Sequence, residues 1–204
     1  RNTTRRNRVI TMKIAIDIVL LPPKEIMDLC IETNKKLVQK DKRIDLNAED
    51  CLPHISVCIG VIDESQLEDI SMIVQDIVAK STPLQLRIEN MYKIRGTGFI
   101  IRKTEALQEL HEELVTKLGH MFSDEVSPSY FTEPPSTESG SIKILRDFCT
   151  QHSFQHYFPH ITLGYGEKIE MTFPIEFHAS KIAICHLGNH CTCRKILFET
   201  NINK

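Results

Sequence analysis

The feature that most constrains this fold is a six-residue pattern that occurs twice, as LPHISV at residues 52–57 and as FPHITL at residues 158–163. Each copy contains an apolar residue, Pro, His, Ile, a hydroxyl residue and an aliphatic residue. A single copy is typical of a strand with a hydrogen-bonded histidine. Two copies indicate that two halves of the chain each deliver an imidazole and a hydroxyl to one place.

The spacing within each copy is that of a strand with two different faces. Side chains alternate between the faces of a strand, so His54 and Ser56 are predicted to point one way and the aliphatic residues between them the other. His160 and Thr162 repeat this pattern. The proline before each histidine suits the first residue of a strand, where no ladder donor is lost.

Two imidazoles flanked by two hydroxyls are suited to phosphate chemistry. An unperturbed imidazole titrates near pH ~6.5, so one ring can be neutral while the other is protonated. The neutral ring can take a proton from water, and the protonated ring can give one to a leaving alkoxide. Ser56 and Thr162 can donate hydrogen bonds to phosphoryl oxygens, and the imidazolium stabilises the growing negative charge. This arrangement requires no metal and no other cofactor.

The two H-x-[S/T] segments resemble the paired signature of the two-histidine (2H) phosphoesterases, which include RNA 2′,3′-cyclic phosphodiesterases and proteins called 2′-5′ RNA ligases. The resemblance extends from about Met12 to about Thr200. Ser56 is one departure, since Thr is the commoner residue there; Ser keeps the donor but loses a methyl group. The resemblance implies a bilobal, pseudo-two-fold α+β fold, with two antiparallel sheets around a central cleft and the helices outside.

The resemblance also implies an activity. His54 and His160 would be catalytic, and Ser56 and Thr162 would bind phosphate. The reaction would open a 2′,3′-cyclic phosphate at an RNA terminus or on a small nucleotide, with the second histidine activating water and the first protonating the 3′ oxygen. Three alternatives stay open: 2′-5′ RNA ligation, cleavage of 2′-5′-linked oligonucleotides, and a module that binds a nucleotide or RNA end without turnover.

Composition limits the partners of the chain. The net charge of −2 over 204 residues indicates no long nucleic-acid footprint, so any RNA contact should be local. The seven cysteines are scattered and no secretory signal is evident, which predicts free thiols in the cytoplasm. No segment approaches the ~20 apolar residues of a membrane span. The sequence identifies no protein partner.

The order of predicted elements, β-α-β-α-β-β-α-loop-α-β-β-β, favours the α+β class. Residues 1–11 are predicted to be a disordered basic tail, and residues 12–204 a single domain of two lobes. A helix is predicted from Pro22 to about Lys40, and a second from Asp63, where Gln66 completes a capping box. The loop at residues 123–140 is either a binding loop or merely irregular; its Tyr130 and Phe131 could stack on a base or anchor the core.

Other groups of reactive residues are better explained by structural roles. Five potential metal ligands lie within residues 185–193, but their spacing matches no usual zinc site, which favours a hairpin with packed or solvated thiols. Cys58 lies about 13 Å along a strand from His54, which disfavours a thiol nucleophile. His152 and His156 are predicted to be surface residues. His111 lies in an amphipathic helix and predicts no function.

Overall fold

The computed structural model describes residues 12–37 and 42–202. The strands of this part of the chain are β1 Lys13–Leu21, β2 Ile55–Asp63, β3 Leu84–Lys93, β4 Thr97–Ile101, β5 His160–Gly164, β6 Ile175–Ala179, β7 Lys181–Gly188 and β8 Thr192–Asn201. Its α-helices are α1 Lys24–Leu37, α2 Leu67–Val78, α3 Glu105–Leu118 and α4 Gly140–Asp147. The predicted basic tail, residues 1–11, and the predicted end of the first helix near Lys40 lie outside the described residues.

The strands form two antiparallel sheets of four strands each. The first sheet has the order β2-β1-β7-β8, and the second has the order β5-β4-β3-β6. β2 and β5 carry the two repeated segments, and each lies at an edge of its sheet. These two edge strands contact each other, which brings the repeated segments together. The predicted α+β class with two antiparallel sheets is confirmed.

The predicted alternation of the two repeated segments is confirmed. Ser56 and Thr162 are half-buried on one face. The aliphatic residues on the other face are fully buried in the main core: Ile55, Val57, Ile161 and Leu163. Burial of four such side chains contributes about 1.5–3 kcal/mol each, which fixes which face of each strand carries the polar groups.

The helix starts follow from local hydrogen bonds. Thr104 caps α3, because its side-chain oxygen accepts a hydrogen bond from Leu107 N at 3.3 Å. The backbone N of Asp63 donates to Gln66 Oε1 at 2.9 Å, as the predicted capping box requires. The residues between them, 64–66, form a 3₁₀ turn, so α2 itself begins at Leu67.

Strand β6 was not predicted. It pairs with β3 and alternates Ile175, Phe177 and Ala179 towards the interior with exposed residues between them. This alternation is the signal of a strand, but it covers five residues and follows Pro174 directly. A single residue, Ser180, separates β6 from β7, which belongs to the other sheet.

The prediction that the cysteines are free thiols is wrong for two of them. Cys185 and Cys193 form a disulfide across the β7–β8 hairpin, with their Cα atoms 5.5 Å apart, a separation that suits this bond. In the antiparallel pairing Cys185 is opposite Ile196 and Cys193 is opposite Leu187, so the disulfide joins the two strands diagonally. Two of the five potential metal ligands at residues 185–193 are therefore joined to each other. The remaining five cysteines of the chain are free.

The helices of the described part of the chain are short. The longest, α1 and α3, have 14 residues each. Within residues 12–37 and 42–202, no helix combines the length and the apolar character that crossing a membrane would require.

Candidate active site

The structure brings all four predicted site residues to one cavity. His54, Ser56, His160 and Thr162 line the same depression, whose volume is about 230 Å³. His54 directly precedes β2 and Ser56 lies within it, whereas the second pair comes from β5. Because β2 and β5 are neighbouring sheet edges, polar faces more than half a chain apart in sequence meet at this cavity.

The two imidazoles are held in the same way. His54 Nδ1 donates to the carbonyl oxygen of Leu52 at 2.8 Å, and His160 Nδ1 donates to that of Phe158, also at 2.8 Å. A carbonyl oxygen can only accept, so each Nδ1 carries a proton. Nε2 is then the nitrogen of each ring that can exchange a proton with a ligand.

Both rings are neutral near neutral pH. Burial lowers the pKa of His54 to about 4, and the neighbouring His160 lowers it further against the opposing effect of the Leu52 carbonyl. Burial also lowers the pKa of His160, opposed by its bond to the Phe158 carbonyl. A phosphate in the cavity would supply the opposite charge that favours protonation of one ring.

The two hydroxyls have different partners. Ser56 Oγ lies 2.6 Å from Asp17 Oδ2, whereas Thr162 Oγ1 lies 3.4 Å from the Tyr92 hydroxyl. The ring of Tyr92 also packs edge-on against the His160 imidazole, with centroids 5.4 Å apart. The first hydroxyl is thus tied to a carboxyl group and the second, more weakly, to a phenol.

Asp17 is a site residue that the sequence reasoning missed. It lies in the middle of β1, is fully buried, and its Oδ2 is 3.6 Å from His54 Nε2. Burial raises the pKa of Asp17 well above its usual range, and the hydroxyl of Ser56 opposes this effect. The available signal was one carboxyl residue inside the otherwise apolar run at residues 14–21, since such residues are rarely buried without a role.

The rim of the cavity contains further histidines. His152 and His156 are exposed, as predicted for surface residues, but they also line the cavity. His190 lies on the opposite hairpin, where it and Cys191 have positive φ angles of 60° and 54°. Non-glycine residues held in this backbone region cluster at functional sites. Phe158, with 48% of its surface exposed, stacks beside His160.

Helix α1 positions the second segment. The side chain of Asn34 is fully buried and its Nδ2 donates to Leu163 O at 2.6 Å and to Ile44 O at 2.9 Å. Its Oδ1 accepts from Leu46 N at 2.9 Å. Asn34 precedes the first repeated segment in sequence but holds the backbone of the second.

Helix α3 positions the first segment in a corresponding way. His111 Nδ1 donates to Val57 O at 2.6 Å, and its Nε2 accepts from Phe154 N at 2.9 Å. Its ring stacks on Tyr157 at 3.9 Å, and the Tyr157 hydroxyl donates to Ser56 O at 2.9 Å. No sequence pattern singles out His111, because its partners are backbone atoms distant along the chain.

The other candidates lie apart from this chemistry. Cys58 is fully buried, and burial raises the pKa of its thiol well above the usual range, so it forms no thiolate near neutral pH. Phe131 is buried in the core, and neither it nor Tyr130 lines the cavity. Within the described ranges, no group of three or more His, Cys, Asp or Glu side chains is arranged to hold a metal ion.

The fold and the cavity define a class of structure, two antiparallel four-stranded sheets whose edge strands each deliver a histidine and a hydroxyl to one cleft. Solved structures of the same fold include TT0787 of Thermus thermophilus, with a TM-score of 0.60, 13% identity, and coverage of 93% of this chain and 98% of that one. Escherichia coli LigT in its apo form has a TM-score of 0.59 and 12% identity, with coverage of 95% and 100%. A protein described as a phosphoesterase has a TM-score of 0.54 and 10% identity, with coverage of 95% and 100%. At the level of sequence, no family model and no curated protein matches this chain. The fold that the resemblance implied is therefore confirmed.

Proposed function

We propose that this chain is a two-histidine phosphoesterase that opens 2′,3′-cyclic phosphates at RNA or nucleotide termini by metal-independent acid–base catalysis. The observation that carries the proposal is the matched presentation of His54 and His160. Each anchors Nδ1 on a carbonyl oxygen at 2.8 Å, and both rings line one shared cavity. Fold likeness to a phosphoesterase and to LigT supports the class of reaction.

The proposed reaction uses one neutral and one protonated imidazole. His160 Nε2 takes a proton from water while the water oxygen forms a bond to phosphorus. The bond from phosphorus to the ribose 3′ oxygen breaks, and His54 Nε2–H gives its proton to that oxygen. The product is a 2′-phosphate, and a net transfer of one proton from His160 to His54 restores the starting state. This division of roles follows the resemblance to the two-histidine family.

The hydroxyls complete the phosphate site. Ser56 and Thr162 lie one residue beyond Ile55 and Ile161, on the same face of each strand as the neighbouring imidazole. We assign both hydroxyls as donors to the non-bridging phosphoryl oxygens, where they stabilise negative charge as it builds. The reverse reaction, 2′-5′ joining of RNA, would use the same four groups.

The proposed substrate class is an RNA terminus or a small nucleotide. LigT has been solved with NADP⁺, ATP and 3′-AMP, which shows that a protein of this fold binds nucleotides. The cavity of this chain combines the polar site with apolar walls from Ile59, Ile144 and Phe148, a mixture suited to a base and its sugar. A location in the cytoplasm stays a prediction, and the Cys185–Cys193 disulfide weighs against a reducing compartment.

Turnover of adenosine 2′,3′-cyclic phosphate tests the proposal. We expect hydrolysis to a single isomer, the 2′-phosphate, with the rate unchanged by EDTA. The matched control is His178→Ala, since His178 is an exposed strand histidine outside the cavity. Binding of nucleoside 2′,3′-cyclic phosphates without turnover of any of them would show that the chain is a nucleotide-binding module and not an enzyme. Strong inhibition by EDTA would overturn the metal-independent mechanism.

A further inference from the structure

Asp17 creates a conflict with the proposed role of Ser56. A serine hydroxyl has one proton to donate. If the Asp17 carboxyl is ionised, it can only accept, and the 2.6 Å contact consumes that proton. Ser56 would then present only lone pairs to a phosphoryl oxygen, and a buried carboxylate would stand beside an anionic substrate.

The surroundings of Asp17 do not support an ionised carboxyl. Ser56 is its one hydrogen-bond donor in the described part of the chain, and Oδ1 has no hydrogen-bond partner there. An ionised carboxylate at full burial ordinarily needs a paired cation or several donors. No lysine or arginine of the described residues forms an ion pair with it; the one basic group near it is His54, at 3.6 Å.

The titratable groups that face Asp17 come from three further parts of the fold and bring no positive charge near neutral pH. Burial lowers the pKa of His54 to about 4, so its ring is neutral before a phosphate binds. Burial raises the pKa of the thiols of Cys58 and Cys191 and of the Tyr157 hydroxyl, and Asp17 acts in the same direction on all three. These four groups are all uncharged around the carboxyl.

We propose that Asp17 is a positioning residue that carries its proton and donates it to Ser56 Oγ, so that the hydroxyl proton of Ser56 is directed to the phosphoryl oxygen. The 2.6 Å separation suits an O–H···O bond in this direction equally well. The result is a relay of two donors, from carboxyl to hydroxyl and from hydroxyl to phosphate, and no negative charge adjoins the substrate. This inference rests on the proposed phosphate site.

Two substitutions separate a neutral donor from a carboxylate. In Asp17→Asn the amide N–H can make the same donation to Ser56, so we expect kcat/KM within about 3-fold of the wild type. In Asp17→Ala the donor is lost, and we expect kcat/KM to fall about 10-fold to 100-fold, the range for one hydrogen bond to a charged group. Equal impairment of the two variants would show that the carboxylate is needed and would overturn the proposal.

A double-mutant cycle separates positioning from a merely structural role. Because Asp17 is proposed to act through Ser56, Asp17→Ala should cost nothing further in a Ser56→Ala background. A loss of the same size in both backgrounds would overturn the proposal. Thermal unfolding of all four proteins shows whether each variant is folded, and Asp17→Asn preserves the shape of the side chain if Asp17→Ala fails to fold.

Carbon-13 NMR of aspartate-labelled protein tests the protonation state without any turnover. Asp17→Asn assigns the side-chain signal by its loss. We expect Asp17 to keep the chemical shift of a protonated carboxyl up to neutral pH, whereas an ordinary aspartate ionises near pH ~3.9. Ionisation in that ordinary range would overturn the inference.

Titration of the same proteins with inorganic phosphate is a second test. The wild type and Asp17→Asn should bind phosphate, and Asp17→Ala should bind it more weakly. Equal binding by all three proteins would also overturn the inference. Failure of the wild type to hydrolyse cyclic phosphates would count against the proposed function alone.

Discussion

The two repeated segments are alike in their local geometry and differ in what surrounds them. In both, Nδ1 of the histidine donates to the carbonyl two residues earlier at 2.8 Å. The hydroxyl of the first segment, however, contacts a buried carboxyl at 2.6 Å, while that of the second lies 3.4 Å from a phenol. The first imidazole lies beside Asp17, and the second contacts the aromatic rings of Tyr92 and Phe158.

This difference shows that an internal repeat identifies the reacting groups but does not distinguish their separate roles. The repeat alone makes the two histidines interchangeable. Their environments distinguish them, since a carboxyl beside one ring and aromatic rings beside the other give the two segments unequal electrostatics. The positioning contacts are also exchanged between the halves, because α1 holds β5 through Asn34 and α3 holds β2 through His111.

The largest expected effect is the loss of either imidazole. His54→Ala and His160→Ala should each lower the rate of cyclic phosphate hydrolysis by ~10²–10⁴, the usual contribution of general acid–base catalysis. Steady-state kinetics measure this, with His178→Ala as the control. A similar loss at both positions would support one reaction shared by two segments. Near-wild-type activity of either variant would show that its imidazole takes no part in the reaction.

The pH dependence of stability should reveal the buried first imidazole. The pKa of His54 is about 4 in the folded protein, against ~6.5 for an unperturbed histidine. The unfolded chain therefore binds the proton first as the pH falls. The free energy of unfolding therefore keeps its full value above about pH 6.5 and falls by about 3 kcal/mol in total as the pH decreases to about 4.

Replacing His54 by Gln should remove this part of the acid sensitivity. Urea unfolding measures the free energy of unfolding at neutral and at acid pH. The decrease between the two pH values should be smaller for His54→Gln than for the wild type and for the matched control His178→Gln. Asp17 has the opposite sign, because its raised pKa favours the folded state in acid, but it is present in all three proteins. An identical loss in wild type and His54→Gln would contradict the burial of a neutral ring.

The hydroxyls should differ in their effect on stability more than in their effect on the rate. Ser56→Ala and Thr162→Ala should each lower kcat/KM about 10-fold to 100-fold through loss of a donor to the charged phosphate. Ser56→Ala also leaves Asp17 without its hydrogen-bond partner, which should cost about 1–3 kcal/mol. Kinetics with thermal unfolding separate the two effects, and Ser56→Thr serves as the control that keeps the donor. A greater loss of stability in Thr162→Ala would reverse the comparison.

The smallest effect is expected at Tyr92. Its hydroxyl lies 3.4 Å from Thr162 Oγ1, a long contact, so Tyr92→Phe should lower kcat/KM only about 2-fold. Tyr130→Phe is the matched control, because the Tyr130 hydroxyl bonds to Glu125 and Tyr130 does not line the cavity. A loss above about 10-fold would show that the phenol acts on the substrate directly.

The sequence predicted the parts of this molecule that follow from local pattern. Period-two alternation located β2 and β5, a capping threonine located α3, and the repeat located the four polar residues of the cavity. The α+β class followed from the order of the elements. These features depend on neighbours within a few residues, which the sequence displays directly.

The features that the sequence did not reveal depend on contacts between distant residues. Asp17 is a site residue only because β1 lies beside β2, and His111 positions β2 through a backbone oxygen more than fifty residues away. The Cys185–Cys193 disulfide follows from hairpin pairing, which the scattered spacing of the cysteines did not suggest. His152 and His156 were recognised as surface residues, but their place at the cavity rim depends on how α4 packs against β2.

Nitrogen-15 NMR of labelled histidine, titrated with adenosine 2′-monophosphate, tests most directly whether one phosphorus lies between the two rings. The Nε2 signals of His54 and His160, assigned by substitution, should shift together along a single binding curve, and at least one ring should gain a proton as the phosphate binds. Movement of only one signal, or two curves with different affinities, would contradict a shared phosphate site.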